Sequence, residues 1–122
     1  MLIEENTFGS EAAITAYAPG RIEINGQAYT EAVILKEDKI EKPAKAMPSE
    51  LTADDFFQTA SETLPVVILV GTGEKQVFLH PKITAALAAK GIGLESMTTA
   101  SACRTFMILQ SEGRKVWAWL WP

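Results

Sequence analysis

The stretch Thr98 to Arg114, TTASACRTFMILQSEGR, holds the one cysteine of the chain, Cys103, with Arg104 directly behind it. A thiol beside a guanidinium raises the chemistry of an activated nucleophile, because the thiolate is the reactive form and a nearby positive charge lowers its pKa. The spacing also carries a plainer reading. Ala102, Cys103, Phe106 and Leu109 recur at i, i+1, i+4 and i+7, which predicts a helix whose apolar stripe turns the thiol inward as a small packing residue. Successive residues on an α-helix stand about 100° apart, so Arg104 adjoins Cys103 in sequence without its side chain adjoining the thiol.

A second set of candidates surrounds this helix. Gly71, Thr72 and Gly73 follow the apolar run at residues 66–70, and Thr98, Thr99 and Ser101 open the helix that carries Cys103. Ligands of open α/β sheets bind beyond the carboxyl ends of parallel strands. There, helix-start N–H groups, a glycine-rich loop, threonine hydroxyls and Arg104 would suit a carboxylate or phosphate. The loop lacks both a third glycine and the Gly-Lys-Ser/Thr ending of a P-loop, and QVFL intervenes before the next helix, so a tight structural turn is the favoured reading and a small-anion or ligand site the other.

Other reactive side chains are isolated. His80 precedes Pro81 and suits a helix cap or a solvated position, while Glu95 and Glu112 read as surface charge. No Ser/His/Asp or Cys/His combination has a local signature, no zinc spacing exists, and no catalytic residue, metal or other cofactor is assigned. Trp117, Trp119 and Trp121 alternate with Val116, Ala118 and Leu120, placing the indoles on one face of a strand. Either both faces are covered or the indoles form an exposed row for docking a partner.

The elements that position these groups begin with β structure. ITAYAPG reads as a strand ending at Pro19-Gly20, RIEINGQAYT as a hairpin turning at Asn25-Gly26, and AVILK as a short apolar strand. Residues 37–50, charged and carrying Pro43 and Pro48, are expected to form an exposed connection. Thr52 and Asp55 form a capping signature for a helix with Ala53, Phe56, Phe57, Ala60 and Leu64 on one face. Thereafter strands and helices alternate: VVILVG, PKITAALAAKG, GLESM, the helix from Thr98 to Gly113, and KVWAWLW. Two strand–helix–strand units predict a mostly parallel sheet with helices packed on it and right-handed crossings.

A length of 122 residues predicts a single domain over 1–122 that folds without disulfides or metal. The net charge of -4, with no basic cluster, argues against nucleic acid as a partner. The acidic opening MLIEENTFGSEAAI does not read as a signal peptide, and no run is long and apolar enough for a membrane span, so a cytoplasmic protein without direct membrane insertion is expected.

The segment from VVILVGTG through FLHPKITAALAAKGIGLESMTTASACRTFMILQSEGRKV resembles the Mth-type domain family of unknown function, which includes mitochondrial respiratory complex I assembly factor three, the adipogenesis-associated Mth-type domain protein and many small bacterial members. GTG after a strand, GIG after a helix, ESMTT at a strand exit and ACRT with EGR behind it carry the resemblance jointly. It covers the C-terminal half closely, and the N-terminal hairpin region is compatible. It implies a three-layer α/β fold with a mixed sheet of about five strands. It also implies protein contacts in assembling a membrane respiratory complex, hence protein partners, membrane-associated ones among them, with self-association a further option. The family commonly has aspartate at the position of Thr98 and tyrosine and asparagine at those of Phe106 and Met107. These departures remove polar groups from the helix an enzyme would use. A non-enzymatic interaction module is therefore the leading expectation, and a small-ligand or enzymatic domain using Gly71–Gly73 and the Thr98 helix start is its rival.

Overall fold

The computed structural model describes residues 12–37, 39–57 and 64–122. Strand β1 (Ile14–Ala18) turns at Pro19-Gly20 into β2 (Arg21–Ile24), and β2 turns into β3 (Gln27–Tyr29). The second turn has φ of 50° at Asn25 and 84° at Gly26, the two left-handed positions that an Asn-Gly hairpin requires. These strands form an antiparallel sheet of order β1-β2-β3, with a bulge between Ile14 and Ala16.

Strand β4 (Val33–Lys36) belongs to the larger sheet and is followed by β5 (Lys39–Glu41), a strand in the segment expected to be a connection. A reversal at Glu37, with φ of 55°, pairs Lys36 with Lys39 and folds β5 back on β4, burying Ile40. Only beyond Glu41 does this segment become irregular, apart from a 3-10 turn at Pro48–Glu50.

Helix α1 (Ala53–Phe57) starts where expected: the Asp55 carboxylate accepts from the Thr52 N–H at 2.7 Å and from Lys45 Nζ at 2.8 Å. Phe56 is buried and Phe57 half-buried. Ala60 lies outside the described residues, and Leu64 is exposed and outside any helix, so it does not extend the apolar face.

The remaining elements follow the expected alternation: β6 (Val67–Thr72), α2 (Pro81–Ala88), β7 (Gly93–Met97), α3 (Thr99–Ser111) and β8 (Val116–Trp121). His80 caps α2, its Nδ1 accepting from the Lys82 N–H at 3.1 Å, and Pro81 occupies the first turn, where a missing N–H is harmless. The five strands order as β5-β4-β8-β6-β7, with β8 and β7 parallel to β6 and the β8–β4 and β4–β5 pairs antiparallel. The sheet is thus mixed rather than mostly parallel, because β4 enters it from the hairpin side without a helical crossover.

Each face of this sheet carries a core. On one, Leu35, Leu69, Ala118 and Leu120 pack with Ala102, Cys103 and Phe106 of α3 and with Ile22, Ile24 and Tyr29 of the small sheet. On the other, Ile34, Ile68, Val70, Trp117 and Trp119 pack with Phe56 of α1 and Ile83 and Leu87 of α2. Alternation along β8 sends its indoles to one core and its aliphatic side chains to the other.

Candidate functional site

The carboxyl ends of β6 and β7 bring Gly71, Thr72 and Gly73 against the start of α3, as the sequence suggested. Gly71 is needed for that approach. A Cβ there would stand 3.0 Å from Leu120 Cδ2, Thr99 Cα and Thr99 Oγ1. The hydroxyls at this junction are spent on the protein itself. Thr99, fully buried, accepts from the Gly73 N–H at 2.7 Å and donates to the Trp121 carbonyl at 2.5 Å. Thr72 Oγ1 lies 2.6 Å from the Lys75 carbonyl and 3.1 Å from that of Met97, and accepts from the Val77 N–H at 3.1 Å. The Thr99 N–H is bound by the Gly73 carbonyl at 2.9 Å. A hydroxyl has one proton to donate, so these two threonines have none left for an anion.

Further along, Thr98 caps α3 through a long contact of 3.4 Å from the Ser101 N–H, and its hydroxyl donates to Ser101 Oγ at 3.1 Å. Arg104, exposed, donates from Nη2 to the same Ser101 oxygen at 3.2 Å. Among the described residues no carboxylate lies within ion-pairing distance of Arg104.

Cys103 is 4% exposed, and burial pushes its thiol up to about 11 while Arg104 lowers it less. At neutral pH it is therefore a thiol, not a thiolate, and the packing reading describes its state. It also lines a groove of about 540 Å³ between β1 and α3, together with Ile14, Thr15, Ala16, Tyr17, Ala100, Arg104, Met107 and Ile108. The Tyr17 phenol is raised as well, by burial first and then by Cys103 and Glu74. The candidate residues thus divide: Gly71, Thr72, Gly73 and Thr99 close a structural junction, whereas Cys103 and Arg104 belong to the groove.

The groove's other lining residues, Ile14–Tyr17 with Met107 and Ile108, were not singled out from sequence. A signal existed on α3, where Met107 and Ile108 are apolar yet lie off the stripe of Ala102, Cys103, Phe106 and Leu109. Ile108 is 57% exposed.

The exposed tryptophan row is corrected by burial. Trp117 and Trp119 are each 1% exposed, Trp119 packing edge-on against Phe56 with ring centroids 4.8 Å apart. Lys36, itself buried, reaches over both indoles at 5.0 and 5.5 Å and meets Glu41 at 3.1 Å. Trp121 is half-buried and donates from Nε1 to the Ala46 carbonyl at 2.9 Å. Helices α1 and α2 cover the indole face, leaving no row for docking. Among the described residues no group of three His, Cys, Asp or Glu could hold a metal, and no helix is long and apolar enough to cross a membrane.

This arrangement of a five-stranded mixed sheet, a three-stranded hairpin sheet and helices recurs in solved structures. A crystal structure of a Bordetella parapertussis protein matches with a TM-score of 0.85 and 37% identity, covering 93% of this chain and 97% of the other. A solution structure from Bordetella pertussis, described as a Mth938-like domain, matches with a TM-score of 0.75 and 28% identity over 100% of this chain and 92% of the other. The chain belongs to the protein family of unknown function DUF498/DUF598, whose pattern matches residues 14–121. Among its relatives, an uncharacterised Rhodobacter capsulatus protein is 30% identical over all of this chain and 94% of its own length. The NADH dehydrogenase [ubiquinone] 1 alpha subcomplex assembly factor 3 of Rattus norvegicus is 29% identical over 97% of this chain, and that of Mus musculus 43% identical over 46%. These matches span 64% and 30% of the two assembly factors.

Proposed function

We propose that this chain is a non-enzymatic interaction module that holds a partner protein in the groove between β1 and α3, in the manner of an assembly factor. The observation that carries this reading is the groove itself: an open channel, mostly apolar, on a domain whose threonine hydroxyls at the strand ends are consumed internally. Apolar surface of this kind marks contact sites on proteins. The relatives named as assembly factors of a respiratory complex support partners of that class, membrane-associated ones included. The two cores support reading the fold as three layers, with the central sheet between the hairpin sheet plus α3 and the pair α1 and α2. The rival, a small-anion or enzymatic site at Gly71–Gly73 and the α3 start, has its support in Arg104 and the cap hydroxyls alone.

A photo-crosslinking amino acid placed at Ile108, in cells carrying the chain's own gene, tests the proposal. Discrete protein adducts from position 108, absent from a control at Lys42, are expected. Adducts no different from the control, together with phosphate-induced shifts of the Gly73 and Thr99 amide resonances, would overturn it in favour of the rival.

A further inference from the structure

Strand β1 is the outer strand of the small sheet, so among the described residues one of its edges has no strand beside it. That edge faces the groove. Two observations fix which backbone groups it presents. The Ile14 N–H points away from β2, because it donates to Met107 Sδ of α3 at 3.3 Å. At the other end the two-residue turn pairs Ala18 with Arg21, and the next pair inward joins Tyr17 to Ile22. In an antiparallel hairpin the pair flanking such a turn exchanges hydrogen bonds and the next does not, so the N–H and C=O of Tyr17 point to the open edge.

Helix α3 closes on this edge unevenly. Near Ala12 and Ile14 it is clamped, with Gln110 Nε2 donating to the Ala12 carbonyl at 2.9 Å. Towards Tyr17 it leaves the groove, floored by Cys103 and flanked by Met107 and Ile108 on the helix. Arg104 stands at the rim with no carboxylate partner among the described residues. A sulfur is a weak acceptor for a backbone N–H, and a carbonyl in the same place is a stronger one.

We infer that the groove takes a short extended segment of a partner protein, which adds to the open edge of β1 as a further strand and sets a carboxylate against Arg104. Strand addition of this kind draws affinity from main-chain hydrogen bonds and specificity from pockets for alternate side chains. Five residues of β1 offer an edge of roughly 17 Å, and the bulge between Ile14 and Ala16 limits regular pairing to the Tyr17 end. The segment's inward side chains are apolar, to lie on Cys103 and Met107, and its acidic residue answers Arg104, for which a planar guanidinium is well suited. The inference rests on the groove being a protein-docking site and adds the mode and chemistry of the occupant.

The test begins with a phage-displayed library of random heptapeptides panned against the intact chain. Enriched peptides are expected to alternate apolar residues and to carry Asp or Glu. A synthetic copy of the most enriched peptide should slow hydrogen exchange of the Tyr17 N–H. Its affinity should fall about tenfold or more for Arg104→Glu, in keeping with loss of a charge-assisted hydrogen bond. It should also fall when alternate peptide amides are N-methylated. Arg104 is exposed, so the variant should keep the parent's melting temperature. Peptides that bind at Met107 and Ile108 but tolerate N-methylation and leave the Tyr17 N–H unprotected would overturn strand addition while the docking groove stands. No enrichment on the folded chain would overturn both. A concentration-dependent dimer that itself protects the Tyr17 N–H would replace the partner with a second copy and overturn the proposed occupant.

Discussion

The buried thiol of Cys103 should make the protein lose stability in alkali, and the size of the effect follows from its surroundings. The ordinary value for the thiol is 9.0, and burial in the fold moves it to about 11. Below about pH 9 both folded and unfolded chains keep the proton, and the group contributes nothing to pH dependence. Between the two values the unfolded chain releases the proton while the folded chain retains it. The unfolded state then binds fewer protons, and stability falls as pH rises, by about 1.4 kcal/mol per pH unit. Across the whole window this amounts to about 2.7 kcal/mol at most, and solvent reaching the groove side of the thiol reduces it to about 2 kcal/mol. The assay is urea unfolding of the wild type and Cys103→Ala between about pH 7 and about pH 10.5. At neutral pH the variant should be less stable by about 1 kcal/mol from lost packing. Towards the alkaline end the wild type should lose that advantage. Lys36, lowered chiefly by burial, gives a slope of opposite sign that both proteins share, so it cancels in the difference. A stability gap that stays constant across the range would refute the reasoning. So would a native thiol that reacts with a chromogenic disulfide at neutral pH as fast as the denatured one.

Three further outcomes are expected. Thr99→Val should cost about 1–3 kcal/mol in urea unfolding, because it strands the Gly73 N–H and the Trp121 carbonyl in a buried junction. Gly71→Ala should cost a similar amount, about 1–3 kcal/mol, since the new methyl meets Thr99 backbone that cannot move aside; an unchanged melting temperature would count against that close approach. Burial raises the Asp55 carboxyl, but hydrogen bonds from Lys45 and Thr52 outweigh this and hold it below its ordinary value. Asp55→Asn should therefore cost about 1 kcal/mol at neutral pH, a deficit that shrinks as pH falls through the carboxylate range; a deficit independent of pH would argue against the charged cap.

The parts of the fold legible in the sequence were those with a local physical cause. Asn25-Gly26 demands left-handed backbone at both positions, Pro81 and Gly91 bracket α2, and alternation along Val116–Trp121 sets the indoles on one face and the aliphatic side chains on the other. Strand β5 was hidden because its turn uses Glu37, a residue type that rarely adopts positive φ, and because three residues among charges carry no periodicity. Pairing order was hidden as well. Nothing local tells β8 to insert between β4 and β6, since that depends on how the two cores close. The strand-end residues were brought together as their spacing suggested. Their hydroxyls are committed to backbone groups of Gly73, Met97 and Trp121, distant contacts that only the assembled sheet supplies. The groove is not legible in the sequence because one wall comes from Ile14–Tyr17 and the other from α3, more than eighty residues apart.

The middle position of β8 bears on how the domain is made. During synthesis β4 and β5 can form their hairpin, and β6 and β7 their parallel pair with α2 between them, but no strand pairing joins these two halves of the sheet until the strand that touches both has left the ribosome. Until then Leu35 and Leu69 lack the Ala118 that lies between their strands, and Phe56 lacks Trp119. Nascent chains lacking Val116–Trp121 should thus expose both apolar faces and be held by chaperones, and the sheet should close in one late step governed by the last strand rather than growing outward from the first.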